Sequence, residues 1–274
     1  MKIRSYPCEE YLGLIFAYLG DAERGDTGAF RPPPLPRYPE FEREGALDVA
    51  TADLPWNYFN GVENSVDIVH VSFVHSHSGF SEGGLSGIPT PHAEETECGI
   101  LNYDAYPNGE VRITAFEMPT LIHFKLFPHE PGGPWRDFVS WKVPLDDQSY
   151  HSFLVIHTPM SAEEARRYEA NPDRHKGFVA DEEDRALAQA VLAGTARLRV
   201  DEVGPRAARV SVQDFVAQRG QGVIADREHE RLGRSDVAVI LLRKIWRREL
   251  QALAEGRTLT RWRWSGDLVL TTGV

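Results

Sequence analysis

The sequence predicts an α+β fold, and three observations predict it. Apolar residues recur at helical spacing around residue 65 and again through the last third of the chain. A block of short runs rich in β-branched and aromatic residues lies between them. No alternation of strand and helix of the βαβ kind interrupts that order. With 274 residues, 42% of them hydrophobic and 10% aromatic, the chain can bury a sizeable core.

The elements follow in order. SYPCEEYLGLIFAYLG at 5–20 carries two short apolar runs, closed by Gly20, that read as strands. Residues 21–45 read as a connector, because Pro32, Pro33 and Pro34 forbid helix or central strand and favour an extended course over the surface. The expected organisation is therefore an N-terminal piece at 1–20, a Pro-rich connector at 21–45 and a main domain at 46–274. From Trp56 to His77 one helix is expected, with Val62, Val66, Val69 and Phe73 on one face. A loop at 78–94 follows, marked by Gly79, Gly83, Gly84, Gly87, Pro89 and Pro91. GEVRITAFEM, LIHFKLF, DFVSWKVPL and YHSFLVIHT then predict a meandering antiparallel sheet.

Helices return after the sheet. Ser161 and Glu164 form a capping-box pattern ahead of EEARRYEA. Residues 181–198 are rich in Ala and Leu, and SVQDFVAQRGQG reads as a helix closed by Gly220 or Gly222. Ser235 is placed to cap a last long helix that Gly256 ends. Its expected apolar face is Val237, Ile240, Leu241, Ile245, Leu250 and Leu253.

Charge and cysteine content exclude several functions. A net charge of −11 argues against nucleic acid or an anionic membrane as partner. No apolar run reaches the length of a membrane span, and Glu9 and Glu10 spoil the N-terminus as a signal peptide. Only Cys8 and Cys98 occur, so there is no disulfide framework and the expected location is cytoplasmic. G-x-S-x-G, P-loop and H-E-x-x-H patterns are absent, and Gly220-Gln-Gly222 follows a helix rather than a strand. Charge runs such as DREHER read as solvated helix faces, and Trp135, Trp141, Trp262 and Trp264 as core or pocket-wall aromatics.

The densest cluster of chemistry is Asn64-Ser-Val-Asp67-Ile-Val-His70-Val-Ser-Phe-Val-His75. Imidazole is the commonest protein ligand for iron and zinc. Positions five apart differ by about 140° on an ideal helix, so His70 and His75 meet at one ion only if the helix bends or ends between them. Asp67, one turn before His70, is placed to hydrogen-bond the far ring nitrogen. An ordinary amphipathic helix produces the same H-x4-H pattern. Asp214 lies among Val210, Val212, Phe215 and Val216. It is either a buried carboxylate beside the histidines or a solvated one pairing with Arg209 or Arg219.

Together these residues resemble the catalytic domain of Rieske-type non-heme iron oxygenases. The resemblance covers roughly residues 1–255. N-x-x-D-x-x-H-x4-H at 64–75 is similar to the first iron-ligand motif of that family. QDFVAQRGQGVIADREHERLGRSDVAVILLR at 213–243 is similar to the C-terminal block of the branch with phthalate dioxygenase and dehydrodivanillate O-demethylase, as is WKVPLDDQSYHSF at 141–153. The resemblance implies a helix-grip (START/Bet v1-like) domain, an antiparallel sheet packed by a long C-terminal helix.

It also implies that His70, His75 and Asp214 ligate one mononuclear Fe(II). Asp67 would be the acid that bridges to a neighbouring subunit's Rieske cluster, with Asn64 near the iron. The implied reaction is oxygen insertion from O2 into an aromatic substrate, as ring hydroxylation or O-demethylation. The implied partners are a ferredoxin or reductase donor and, in a homotrimer, other copies of the chain. The family's [2Fe–2S] cluster is held by C-x-H and C-x-x-H, and neither pattern occurs here. Residues 5–20 resemble the last strands of the Rieske domain, so the 274 residues alone are expected to form a weak trimer or a monomer. The rival expectations are a non-catalytic helix-grip binder of hydrophobic ligands and a zinc hydrolase using the same three ligands.

Overall fold

In this computed structural model, residues 5–20, 32–76, 87–128, 133–172, 174 and 179–263 are described. The expectations for His77, for Gly79, Gly83 and Gly84, for Trp264 and for residues 21–31 of the connector lie outside them.

The fold is α+β, as the order of patterns predicts. A seven-stranded antiparallel sheet is its centre, and its first strand is one the sequence did not announce, β3 (Gly45–Leu54). Next come β4 (Thr90–Glu95), β5 (Gly99–Ala105), β6 (Val111–Glu117), β7 (Leu121–Leu126), β8 (Arg136–Asp146) and β9 (Ser149–Pro159). The spatial order is β3-β9-β8-β7-β6-β5-β4, a meander whose last strand returns to pair with the first. The order of elements is thus strand, helices, sheet, helices, where helix, sheet, helices was expected. GALDVATADL hides a strand because its inward positions hold small Ala46, Ala50 and Ala52 and acidic Asp48. Ten register pairs with β9 make it one. β4 falls inside the expected loop. Its Pro91 is tolerated because β4 is a sheet edge.

The N-terminal strand pair is as read, β1 (Cys8–Tyr11) against β2 (Leu14–Ala17). The described part of the connector departs from a solvated course. A 3-10 turn over Pro39–Glu42 buries Phe41, and the Tyr38 backbone N–H donates to the Tyr11 hydroxyl at 2.7 Å. Tyr11, Leu12, Tyr38 and Phe41 pack with Leu121, Val139 and Val155 on one face of the sheet.

The helices cover the other face. They are α1 (Tyr58–Val66), α2 (Val69–Val74), α3 (Ala162–Glu169), α4 (Glu182–Leu192), α5 (Val200–Val203), α6 (Val210–Gly220) and α7 (Val237–Ala254). The Ser161–Glu164 capping box starts α3 as expected. Gly222, at φ +97°, turns the chain after α6, and Gly256, at φ +64°, ends α7.

Two expectations for α7 fail. Ser235 does not cap it; Asp236 stands at the N-cap, with its carboxylate turned back to the Gly233 N–H at 2.5 Å. The buried stripe is Ala238, Val239, Leu242, Ile245, Glu249 and Ala252, while Ile240, Leu250 and Leu253 are exposed. Ile245 and Leu241 of the expected face do pack on the core, but small Ala238 and Ala252 let the helix sit close on Ile100 and Phe116 of the sheet and rotate Ile240, Leu250 and Leu253 outwards. The charge runs are also not simply solvated. Glu63 is buried in α1 and takes ion pairs from Arg227 at 2.8 Å and Arg243 at 2.5 Å, and buried Glu249 bonds Thr260.

Candidate metal centre

The expected single helix from Trp56 to His77 is two helices. The chain leaves α1 at Asp67 in extended conformation, and the Asp67 carboxylate accepts from the N–H groups of Val69 and His70, at 3.0 and 3.4 Å. An Asp that bonds the backbone two and three residues ahead starts a helix, so α2 begins where α1 should have continued. Asn102 of β5 donates to the Val66 carbonyl at 3.1 Å and ties the break to the sheet. α1 lies close on β9, since a Cβ at Gly61 would collide with the Tyr150 hydroxyl. α2 is short and ends at Val74, leaving His75 as its C-cap. The helix therefore ends between His70 and His75, the condition their spacing imposed.

Asp214 arrives on α6. Trp56 stacks edge-on against Phe215 at 5.1 Å and donates from its indole N–H to Gln218 at 3.0 Å. These contacts lock α6 beside the entry to α1. They turn Asp214 towards the histidines and away from Arg209, which instead pairs with Asp181 and Asp184.

Asp214 Oδ1 lies 3.0 Å from His75 Nε2 and 3.7 Å from His70 Nε2. One donor atom from each of the three residues falls within 4.8 Å of the others. Apart from the close approach to His75, the buried Oδ1 has no hydrogen-bond partner among the described residues. A buried carboxylate oxygen beside two imidazole nitrogens is a donor set suited to a divalent ion. Burial pushes the Asp214 carboxyl up, but the adjacent His75, His70 and Lys142 outweigh it and hold it below the usual carboxylate range. Burial likewise opposes charge on His75, and Asp214 with Gln213 overcomes it and raises the imidazole.

The far ring nitrogens are also held. His70 Nδ1 meets the backbone carbonyl of Asp67, whose carboxylate stays 3.8 Å away. The expected carboxylate contact is thus supplied by the peptide oxygen of the same residue. His75 Nδ1 donates to Gln213 Oε1 at 2.7 Å, and Gln213 Nε2 donates to the Ala207 carbonyl at 2.8 Å. The Ala207 oxygen fixes which end of the amide faces His75. Nδ1 therefore carries a proton, which makes Nε2, on the Asp214 side, the ring atom placed to ligate an ion. Sequence reasoning assigned Gln213 no role. Its adjacency to Asp214 was the only signal. Gln213→Leu should weaken iron binding about 10–100-fold in a chelator competition, with the fold kept; unchanged affinity would show that the ring is held by packing alone.

The three residues open on a cavity of about 420 Å³ between the helices and the sheet, within the usual range for a small-molecule site. Asn64 and Asp67 also line it. Its sheet wall carries Phe124 and Phe138, stacked at 4.3 Å on paired strands, with Leu126, Leu154 and Ile156. Of the tryptophans expected in core or pocket walls, Trp141 and Trp262 are partly buried away from this cavity.

Comparison with known proteins follows the same lines. No family model matches the chain. It is 25% identical over 264 residues to the 5,5'-dehydrodivanillate O-demethylase oxygenase subunit of Sphingobium sp. SYK-6, which spans 93% of this chain and 54% of that protein. It is 28% identical over 276 residues to phenoxybenzoate dioxygenase subunit alpha of Ectopseudomonas oleovorans, spanning 92% and 58%. The chain thus spans just over half the length of these relatives. Among solved structures, Pseudomonas putida CBB5 NdmA with caffeine superposes with a TM-score of 0.54 at 15% identity, over 91% of this chain and 63% of that one. Over most of its length the chain is therefore similar to the oxygenase subunits of an O-demethylase and a dioxygenase, and its fold is that of Rieske oxygenase catalytic domains.

Proposed function

We propose that this chain is the iron- and substrate-holding part of an oxygenase that inserts oxygen from O2 into an aromatic compound, by ring hydroxylation or O-demethylation. The observation that carries the reading is the convergence of His70, His75 and Asp214 at the wall of an aromatic-lined cavity. These three residues would hold one mononuclear Fe(II). An iron held by two imidazoles and one carboxylate supplies dioxygen activation, because positions remain open for O2 and substrate. Asp67 and Gln213 orient the two imidazoles from behind. Phe124 and Phe138 offer flat apolar surface for a ring, and Asn64 borders the metal end of the cavity.

The residues present do not fit a [2Fe–2S] cluster. Cys8 is exposed, Cys98 is buried on the far side of the sheet, and no C-x-H pattern accompanies either. Electrons would come from a cluster outside these residues, fed by a ferredoxin or its reductase, in a cytoplasmic setting. No helix among the described residues is long and apolar enough to cross a membrane.

The names of the two relatives, an O-demethylase and a dioxygenase subunit, support an oxygenase over a zinc hydrolase or a passive binder. Metal analysis after anaerobic reconstitution with Fe(II) and Zn(II) together, followed by dioxygen uptake with a supplied reductant, tests the reading. Stoichiometric iron with substrate-dependent uptake is expected; zinc retention without uptake would replace the oxygenase by the hydrolase. Asp67 is the bridging acid in this reading. Asp67→Asn preserves the helix cap, so it should keep iron and slow electron delivery from a complete donor system. Normal turnover in that variant would remove the role.

A further inference from the structure

Three cations more than nine-tenths buried, Arg112, Arg136 and Lys142, line the cavity from the same face of the sheet. Two of them have work visible within the protein. Arg112 lies over the Phe124 ring at 4.4 Å, across from Asp104 on the neighbouring strand. Arg136 donates to the Phe127 carbonyl at 2.9 Å and has the charge of Asp48 near it.

Lys142 differs. It is 8% exposed, and its ammonium makes no hydrogen bond and no ion pair within 4.0 Å among the described residues. Ser152, its register partner on β9, and Ser140, two residues before it, share its face. The one carboxylate whose charge acts on it is Asp214. If Asp214 ligates a divalent ion, that charge is spent on the metal, and the metal end of the cavity becomes cationic. An ammonium that lines the cavity without a protein partner is placed to take one from a ligand.

We propose that Lys142 is a specificity-determining residue whose ammonium binds a carboxylate carried by the aromatic substrate, selecting anionic aromatics over neutral ones of the same shape. The charge argument rests on the metal reading of the triad; the orphaned ammonium does not. The stacked Phe124 and Phe138 take the ring, and Lys142 takes the acid group on the same wall. Burial pushes the Lys142 ammonium down to about 8, against the raising charge of Asp214, and a bound carboxylate would favour its charged form.

The probes are benzoate and benzamide, near-isosteric and differing in charge. Their binding is measured by calorimetry on the metal-free and iron-loaded chain, with iron content read on the same samples. Wild-type protein should bind benzoate about 10–100-fold more tightly than benzamide, the range of a hydrogen bond to a charged group. Lys142→Met should lose that preference and keep its iron; Lys142→Arg should retain both. Equal affinities in wild type, absent benzoate binding, a preference that survives in Lys142→Met, or one lost in Lys142→Arg as well, would each overturn the proposal. A chain that binds no iron yet prefers benzoate through Lys142 would overturn the metal reading and leave this one standing.

Discussion

Asp214→Ala should take the iron content of the reconstituted chain from stoichiometric to trace, with circular dichroism near native. The carboxylate is the only anionic donor of the three, and its neighbours are two ring nitrogens that cannot hold a divalent ion alone. The fold around it does not rest on it. α6 is held by Trp56 against Phe215 and Gln218, and α1 by Asn57, whose N–H donates to the Val223 carbonyl at 2.7 Å. His70→Ala and His75→Ala should behave alike. All three should lose more affinity than Gln213→Leu, because removing a ligand exceeds the roughly 10–100-fold cost of removing the group that orients one. If the three variants each retain full iron, the triad is not the metal site.

The largest stability effect is expected on the opposite face of the sheet, at Asp137. This carboxylate is fully buried and is shared by three partners. Arg43 lies at 3.0 Å, His157 Nδ1 at 3.3 Å, and Lys125 pairs with the other oxygen. His157 in turn reaches the Arg43 carbonyl at 3.1 Å, so the network fastens the end of the connector to β7, β8 and β9. Asp137→Ala strands Lys125 and buried His157 without their anion. Breaking a buried pair in this way costs about 3–5 kcal/mol, or a fall in Tm of about 10 °C in a chain of this size.

The pH dependence has a definite sign. Burial raises the Asp137 carboxyl, but the hydrogen bonds from His157 and Lys125 and the charges of Lys125 and Arg43 win and lower it. A lowered folded pKa means that the stability it contributes is present above the unfolded value of about 3.9 and is lost as pH falls through the folded one. The gap in Tm between wild type and Asp137→Ala should therefore hold at neutral pH and close in acid. Equal Tm values at pH 7 would show the network to be idle. Iron binding should be unaffected, since Asp137 points away from the cavity.

Much of the fold was readable because it is local. The four strand runs at 109–118, 121–127, 137–145 and 150–158 became β6 to β9, since β-branched and aromatic residues between Pro, Gly and Asp carry that signal within a few residues. The Ser161–Glu164 cap and the Gly256 stop were equally local. β3 was invisible because only its partner strand defines it. The stripe of α7 was misread because burial there favours Ala238 and Ala252 over Leu250 and Leu253, a choice made by how closely the helix must approach the sheet.

The candidate site divides the same way. The sequence by itself determined the donor types, their motif at 64–75 and the family that motif resembles. It also determined that His70 and His75 could meet only where a helix ends. The tertiary structure alone decided that the helix restarts at Asp67 and ends before His75, that Asp214 faces the histidines instead of Arg209, that Gln213 holds His75 across 138 residues, and that Lys142 enters the cavity without a partner. The reason is one of range. Spacing along a chain reports which residues share a face of one element. Which faces meet depends on packing, and here the stack of Trp56 on Phe215 and the fit of Gly61 against Tyr150 bring α1, α2 and α6 onto one wall of the sheet.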